Sequence, residues 1–504
     1  MCRNPCPRHP ELAHPSRNTD GCGDTPSSSS AARRVTRVVR VFAPVPAPHP
    51  HPLAPGPRTY PSPNRPRPTR YREPEKRQGG SVSASTYYQH GLRRMTGRST
   101  DEPHRAATPL ELFFDLTFVA AFGVAGEQLA HGVAEGHVGA AVAGFAFAML
   151  AIVWAWINYS WFASAFDTDD WLFRVLTMVQ MAGVIVLAIG LPEMLASLDH
   201  GERVSNEVMV AGYVVMRVAA IAQWLRAARG NPRHRKVATT YAWYIGIAQV
   251  GWVVLILLPV GLWAFCVAAV VLLVIEWSGP VIAEYKGALH GGGTPWHAHH
   301  IAERYSLLAI IALGETVLGT LAAAQAITTA EGWSFTSVMV IALGVVLSFA
   351  LWWTYFLVPS APILAVRRSK AFPWGYGHLL VFASIAAVGA GLHVIGYVYD
   401  DHYEVGTLTV ITAIAVPVIV FMVSLYLLHA WLVSSFPKNS LVQTGTLLLP
   451  VLAIVVAAAG APLWVGLLLV VLSPVLIVLS FERGAWRALE AQVSRAVEAA
   501  RVSP

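Results

Sequence analysis

The sequence predicts an all-α protein, a polytopic transmembrane helix bundle of about twelve spans arranged as two parallel six-helix repeats. Three observations predict it. Of 504 residues, 55% are hydrophobic and only 13% are charged, where a soluble domain carries roughly 25% charged residues. From residue 108 onward the apolar runs approach the ~20 residues that a helix needs to cross a bilayer. Basic residues collect in every second loop between those runs, the bias that orients membrane helices.

The net charge of +7 hides an uneven distribution. Residues 1–107 hold 18 Lys+Arg and 7 Asp+Glu, a net of +11, and the remainder holds 18 and 22, a net of −4. Residues 1–104 are rich in Pro, Arg, Ser and His, with almost no apolar periodicity. Such a segment buries too little to offset its ordering entropy and is expected to be a disordered tail. It has no apolar h-region, so it does not read as a signal peptide. A basic tail is suited to anionic lipid or nucleic acid. The plainer reading is preferred: sequence lying upstream of a true start at Met95, with no nucleic-acid partner. Cys2, Cys6 and Cys22 fall in this tail and Cys266 in an apolar run, so neither a disulfide framework nor a zinc spacing emerges.

The twelve spans cover about 110–131, 138–161, 172–192, 207–228, 238–258, 261–285, 301–323, 336–358, 376–398, 407–430, 441–459 and 462–482. Their breaks carry turn residues: Gly132 and Gly136, the run Asp167-Thr-Asp-Asp170, Gly230-Asn-Pro232, Gly291-Gly-Gly293, and Pro359 with Pro362. The first half is 105–290 and the second 291–482. Residues 483–504 read as a short amphipathic helix, with Arg487, Arg495 and Arg501 on its polar side, suited to the membrane surface. With the N-terminus inside, the inner loops and C-terminal tail hold sixteen basic residues and the outer loops one, Arg203. The outer loops are acidic, with Glu193, Asp199, Glu202 and Glu207, then Asp400, Asp401 and Glu404. Both termini are therefore expected in the cytoplasm.

Two stretches carry charge into the spans. Glu111 and Asp115 lie four residues apart at the start of span 1 and share a helix face. The second stretch holds His300, Glu303 and Arg304 at the start of span 7, then Glu315 about 18 Å past Glu303 at 1.5 Å per residue. An acid inside a membrane costs about 2.5–3.5 kcal/mol on insertion scales, so it faces a bundle interior, a partner or water. The string Glu-Leu-Phe-Phe-Asp-Leu-Thr-Phe-Val at 111–119 resembles the first-helix signature of the bacterial low temperature requirement protein A family. His300-x-x-Glu303-Arg304-x-x-x-Leu308, followed by Ala312-Leu-Gly-Glu315, resembles that family's second signature. The resemblance covers roughly 105–485 and implies a polytopic inner-membrane protein; it sets the class, not the chemistry.

The halves also resemble each other. Both open on a helix with an acid in its first turn, and Trp156-Ile-Asn-Tyr159 matches Trp352-Trp-Thr-Tyr355, at offsets of about 190–196 residues. Six spans per half makes the repeats parallel. Tandem six-span halves are also distantly similar to the endolysosomal potassium-channel family marked by Phe-Ser-Asp, where this chain has Phe-Phe-Asp.

Each polar residue has a plain and a functional reading. Arg217, midway along span 4, needs a partner; by depth these are Glu315, then Glu127, in either a structural lock or a working ion pair. Glu315 follows Gly314, which would admit a neighbouring backbone, and is either a proton-exchanging acid or a neutral hydrogen-bonding one. Glu111 can simply cap its helix. Glu276 is expected to snorkel to the inner interface, and His393 to make an ordinary polar contact. Trp154, Trp156, Trp352 and Trp353 read as interfacial anchors. His290, His297, His299 and His300 sit in a Gly-rich run without a second helical histidine pair, so no metal or cofactor is expected.

The function expected is secondary transport of a small solute, with intramembrane carboxylates coupling protons or cations. Asp115 and Glu315 would form one pathway with Arg217 as counter-charge, flanked by Glu111, Glu303 and Arg304. The alternatives are a cation channel lined by spans 1 and 7, and an intramembrane enzyme. No nucleophile elbow or phosphate-binding loop favours the enzyme. The partners are the lipid bilayer and a small solute or ion, with a homo-oligomer left open. The loop-charge bias predicts that an Asp401→Cys variant in intact cells reacts with an impermeant thiol reagent above the parent background; labelling only after permeabilisation reverses the orientation.

Overall fold

The computed structural model describes residues 91–502, apart from 101, 103, 104, 202, 291 and 436–439. The expected tail over 1–104 lies outside the described residues up to residue 90. Among the described residues all regular structure is helical. The helices are α1 (Pro109–Ala134), α2 (Val138–Phe166), α3 (Trp171–Ile189), α4 (Leu191–His200), α5 (Glu207–Gly230), α6 (Arg235–Leu257) and α7 (Leu262–Leu289). They continue as α8 (Ala298–Glu331), α9 (Phe335–Phe356), α10 (Ala361–Val366), α11 (Ala371–Tyr397), α12 (Thr407–Val433), α13 (Ser440–Ala458), α14 (Leu463–Ser480) and α15 (Trp486–Val502). Twelve stretches among the described residues are long and apolar enough to cross a membrane, matching the expected bundle.

Boundaries moved where local chemistry outweighs hydropathy. Span 3 is broken at Gly190 because Pro192, without an N–H, starts a new helix at its second position; the apolar stretch continues to Leu198. Span 7 is longer than its apolar run. α8 has 34 residues, about 51 Å at 1.5 Å per residue, against a hydrocarbon core of about 30 Å. His297 caps its start by accepting from the His300 N–H at 3.3 Å, and the Ala-rich segment 322–330 favours helix beyond the apolar part.

Residues 91–100 form no helix, yet they are tied down. Met95 is buried against Gly230, Arg94 Nε donates to the Gly230 carbonyl at 2.7 Å, and the Arg93 N–H donates to Asp170 at 3.1 Å. Trp154 and Trp156 are buried in the bundle, against the expectation of interfacial anchors. α2 packs against α1, α4, α5, α8 and α11, which leaves those indoles no outer face. Trp352 and Trp353 are 45% and 44% exposed and face outward from α9.

The helices come closest through glycines. α11 is the most enclosed span, with 78% of its apolar window buried, and it runs against α1, α2, α8 and α12. A Cβ at Gly319 of α8 would lie 2.3 Å from the Gly389 carbonyl of α11, and one at Gly389 would lie 2.6 Å from the Glu315 backbone. Gly183 of α3 and Gly212 of α5 meet in the same way. Small residues let helix backbones approach where lipid supplies no hydrophobic drive. A methyl at such a crossing costs about 1–3 kcal/mol in strain or displacement. Gly319→Ala is therefore expected to lower the melting temperature in detergent, while Gly314→Ala, where an added Cβ meets nothing within 4 Å, leaves it unchanged.

Candidate functional site

α1 and α8 bring the two charged stretches together. Glu111 and Asp115 meet His300 and Arg304, and Arg105, just ahead of α1, joins them; all five side chains are at most 2% exposed. Both helical pairs have i, i+4 spacing, so one face of α1 meets one face of α8. Glu111 does cap its helix: it completes a capping box with Thr108, accepting from the Thr108 N–H at 2.7 Å. Its carboxylate also faces His300 Nε2 at 3.2 Å, Arg304 Nη1 at 3.8 Å and Arg105 Nη2 at 4.0 Å.

Asp115 accepts from Trp156 Nε1 at 2.7 Å and from Arg304 Nη2. Arg304 also donates to Ser160 Oγ at 3.3 Å and lies over the Trp156 and Tyr159 rings at 5.7 and 5.8 Å, within cation–π range. Arg105 donates to the carbonyls of Ala163, at 2.7 Å, and Ser164. These belong to the last turn of α2, where carbonyls run short of intrahelical donors; Ala163 also accepts from the Asp167 N–H at 3.1 Å. Two guanidinium groups thus face two carboxylates, and the charges balance with His300 uncharged. At the rim, beyond the end of α2, burial and then the charge of Glu111 push the Asp167 carboxyl up to about 6.

Arg217 is not part of this cluster, and its expected pairing with Glu315 or Glu127 is overturned. It faces Glu276 of α7 at 3.9 Å, donates to Tyr213 Oη and stacks over that ring at 4.6 Å. Tyr213 Oη donates to Glu276 at 2.7 Å and Gln249 Nε2 donates at 3.1 Å. Glu276 is therefore buried in a second knot between α5, α6 and α7 rather than snorkelled to an interface. Depth along the chain matched Arg217 to Glu315, but helix rotation aims them at different neighbours.

Glu315 lies eleven residues past Arg304, about 16 Å along α8. Its carboxylate faces Gly123 of α1 and its backbone abuts Gly389 of α11, so these glycines, not Gly314, admit the close neighbours. The single pathway expected from Asp115 to Glu315 with Arg217 as counter-charge is not the arrangement seen; the counter-charge of Asp115 is Arg304. His393 packs beside Gly319 at the α8–α11 crossing. Among the described residues, no three His, Cys, Asp or Glu side chains are grouped to hold a metal ion.

Glu303 turns the other way from Arg304. It lines a cavity of about 840 Å³ together with His299, His378 and His429, between α8, α9, α11, α12 and α14. α15 closes one side, where Gln492 meets His429 Nε2 at 3.2 Å. Sequence reasoning missed this cavity, as well as Arg105, Trp156 and Ser160. Trp156 and Ser160 share a face at i, i+4, the one signal that pointed inward. Removing one partner of a buried ion pair costs about 3–5 kcal/mol. Arg304→Ala is therefore expected to destabilise the protein strongly, and adding Asp115→Asn to restore part of that loss in detergent melts; additive losses would mean the two groups are uncoupled.

The comparisons agree with the motifs. The description of the bacterial low temperature requirement A protein (LtrA) family matches residues 106–474. An uncharacterized protein of Rhizobium meliloti (strain 1021) is 30% identical over 328 residues, covering 61% of this chain and 73% of that protein. No solved structure matches. The matched region holds α1 to α13 with both charged stretches, and the chain belongs to the bacterial low temperature requirement A family of multi-pass membrane proteins.

Proposed function

We propose that the chain is a secondary transporter of the bacterial inner membrane, with its solute site in the cavity beside α8 and Glu303 as the coupling group. The carrying observation is the division of labour on one helix turn. Glu303 lines the cavity, while the next residue, Arg304, is locked to Asp115. A movement of α8 that reshapes the cavity must also act on the charge cluster, and a carboxylate within a solute cavity can exchange a proton for the solute.

Two features support alternation between halves. In the first set α1 touches α2 and α3, then α3 touches α5, α5 touches α6 and α6 touches α7. In the second set α8 touches α9 and α11, then α11 touches α12, α12 touches α13 and α13 touches α14. The same neighbour order supports two parallel repeats. The sixteen-to-one basic bias supports cytoplasmic termini, with the cavity on the cytoplasmic side. The channel reading needs α1 and α8 to part along a pore, and their contact through Asp115–Arg304 and Gly123–Glu315 favours a closed crossing.

Proteoliposomes with an imposed pH gradient test the reading. A panel of amino acids, sugars and organic ions is added outside, and internal pH is followed with a trapped dye. At least one solute class is expected to drive proton movement, and Glu303→Gln to abolish it while still inserting and melting normally. Unitary current steps in planar bilayers that survive Glu303→Gln would replace the transporter by a channel.

A further inference from the structure

We infer that the cavity beside α8 is a binding site for an amphipathic organic cation, a substituted ammonium or phosphonium group carried on apolar rings. The inference deepens the transporter reading, which supplies the purpose of the site, but it stands on the chemistry of the walls.

The volume, about 840 Å³, falls within the roughly 300–1,000 Å³ of small-molecule sites and far exceeds what a bare ion needs. Most of the wall is apolar, with Met422, Leu425, Leu428 and Ile477 among the lining side chains. Among the described residues, Glu303 is the one acid in the lining, and neither Lys nor Arg lines it. Its Oε2 is buried without a hydrogen bond from the protein, and among the described residues it has no ion pair. Glu303 is half-buried, and a carboxylate oxygen shielded from water without a counter-charge carries a cost that a cation in the cavity removes. Trp374, Tyr355 and Tyr426 add aromatic walls, which attract organic cations through the ring quadrupole. Phosphate-bearing lipid fits poorly, since among the described residues neither Lys nor Arg lines the cavity to pair with the phosphate.

The way in also suits an amphiphile. Phe356, Leu357 and Phe481 line the cavity and also an outer recess formed with Trp352 and Trp353. Those tryptophans lie on the exposed side of α9, the side that meets lipid in a membrane helix. Phe481 begins a π-turn that breaks the path from α14 to α15, where Gly484 takes φ of +118°. That conformation favours glycine. The wall between cavity and bilayer is therefore thin and apolar, and it sits at a joint between helices.

The test uses the full chain in detergent with ethidium as probe, followed by fluorescence anisotropy. Saturable binding at one site per chain is expected, displaced by tetraphenylphosphonium but not by the anionic dye 8-anilinonaphthalene-1-sulfonate. Glu303→Gln should weaken it roughly tenfold or more, the effect of losing about 1.4 kcal/mol. Leu425→Trp, at a partly exposed lining position, narrows the cavity, leaves the charge cluster untouched and should abolish binding while the protein still melts cooperatively. If Glu303→Gln does not fold, Leu425→Trp alone decides. Equal ethidium binding in the folded variants, or a preference for the anionic dye, overturns the inference. Binding is read at equilibrium without flux, so a protein that binds ethidium yet moves no solute sinks only the transporter reading. One that couples another solute to protons but ignores ethidium sinks only this one.

Discussion

The contact between Asp115 and Arg304 sets the terms for the rest of the bundle. Neither charge can be left alone in an apolar interior, so α1 and α8 must meet at one rotation and one depth. Once they do, Trp156 and Ser160 of α2 fall where the carboxylate and guanidinium need further partners. Glu111 and Arg105 close the cluster at the helix starts, and Arg105 finishes the last turn of α2. The same rotation fixes the other faces of α8. Glu303 turns to the cavity, and Glu315, further along, lands between the glycines of α1 and α11.

The second polar knot is self-contained. Arg217, Tyr213, Gln249 and Glu276 satisfy one another between α5, α6 and α7. Pro280 stands four residues after Glu276 in α7 and has no N–H to offer the Glu276 carbonyl, so the helix is loosened where the knot forms. The knot ties α5, α6 and α7 to one another, whereas the Asp115–Arg304 cluster ties α1 to α8. One network joins helices close together in the chain, and the other joins helices far apart in it.

Much of this was legible in the sequence. Twelve apolar runs of the right length give twelve spans, because the bilayer imposes a length that composition alone can meet. Glu111, Asp115, His300 and Arg304 stood out because charge at the start of an apolar helix demands a reason. What could not be read was direction around each helix. Depth follows from counting residues, so Arg217 was matched to Glu315 at a similar level; rotation depends on the packing of every neighbour, and it gave Arg217 to Glu276. Trp154 and Trp156 were misjudged for the same reason, since an indole in a span looks alike whether it faces lipid or a carboxylate. The cavity left no local trace, because its wall draws on several helices far apart in the chain.

The partners in the central cluster are far apart along the chain. Asp115 and Arg304 are separated by 189 residues. At about 5–20 residues per second of synthesis, roughly 10–40 s pass between the emergence of the carboxylate and that of its guanidinium. Trp156 arrives much sooner and gives Asp115 one hydrogen bond, and Arg105 precedes Glu111. For most of that interval, however, the first helix holds an uncompensated acid beside the translocation machinery. The finished bundle hides its charges well, but the growing chain does not, and its most exposed moment as a membrane protein comes before its seventh span has been made.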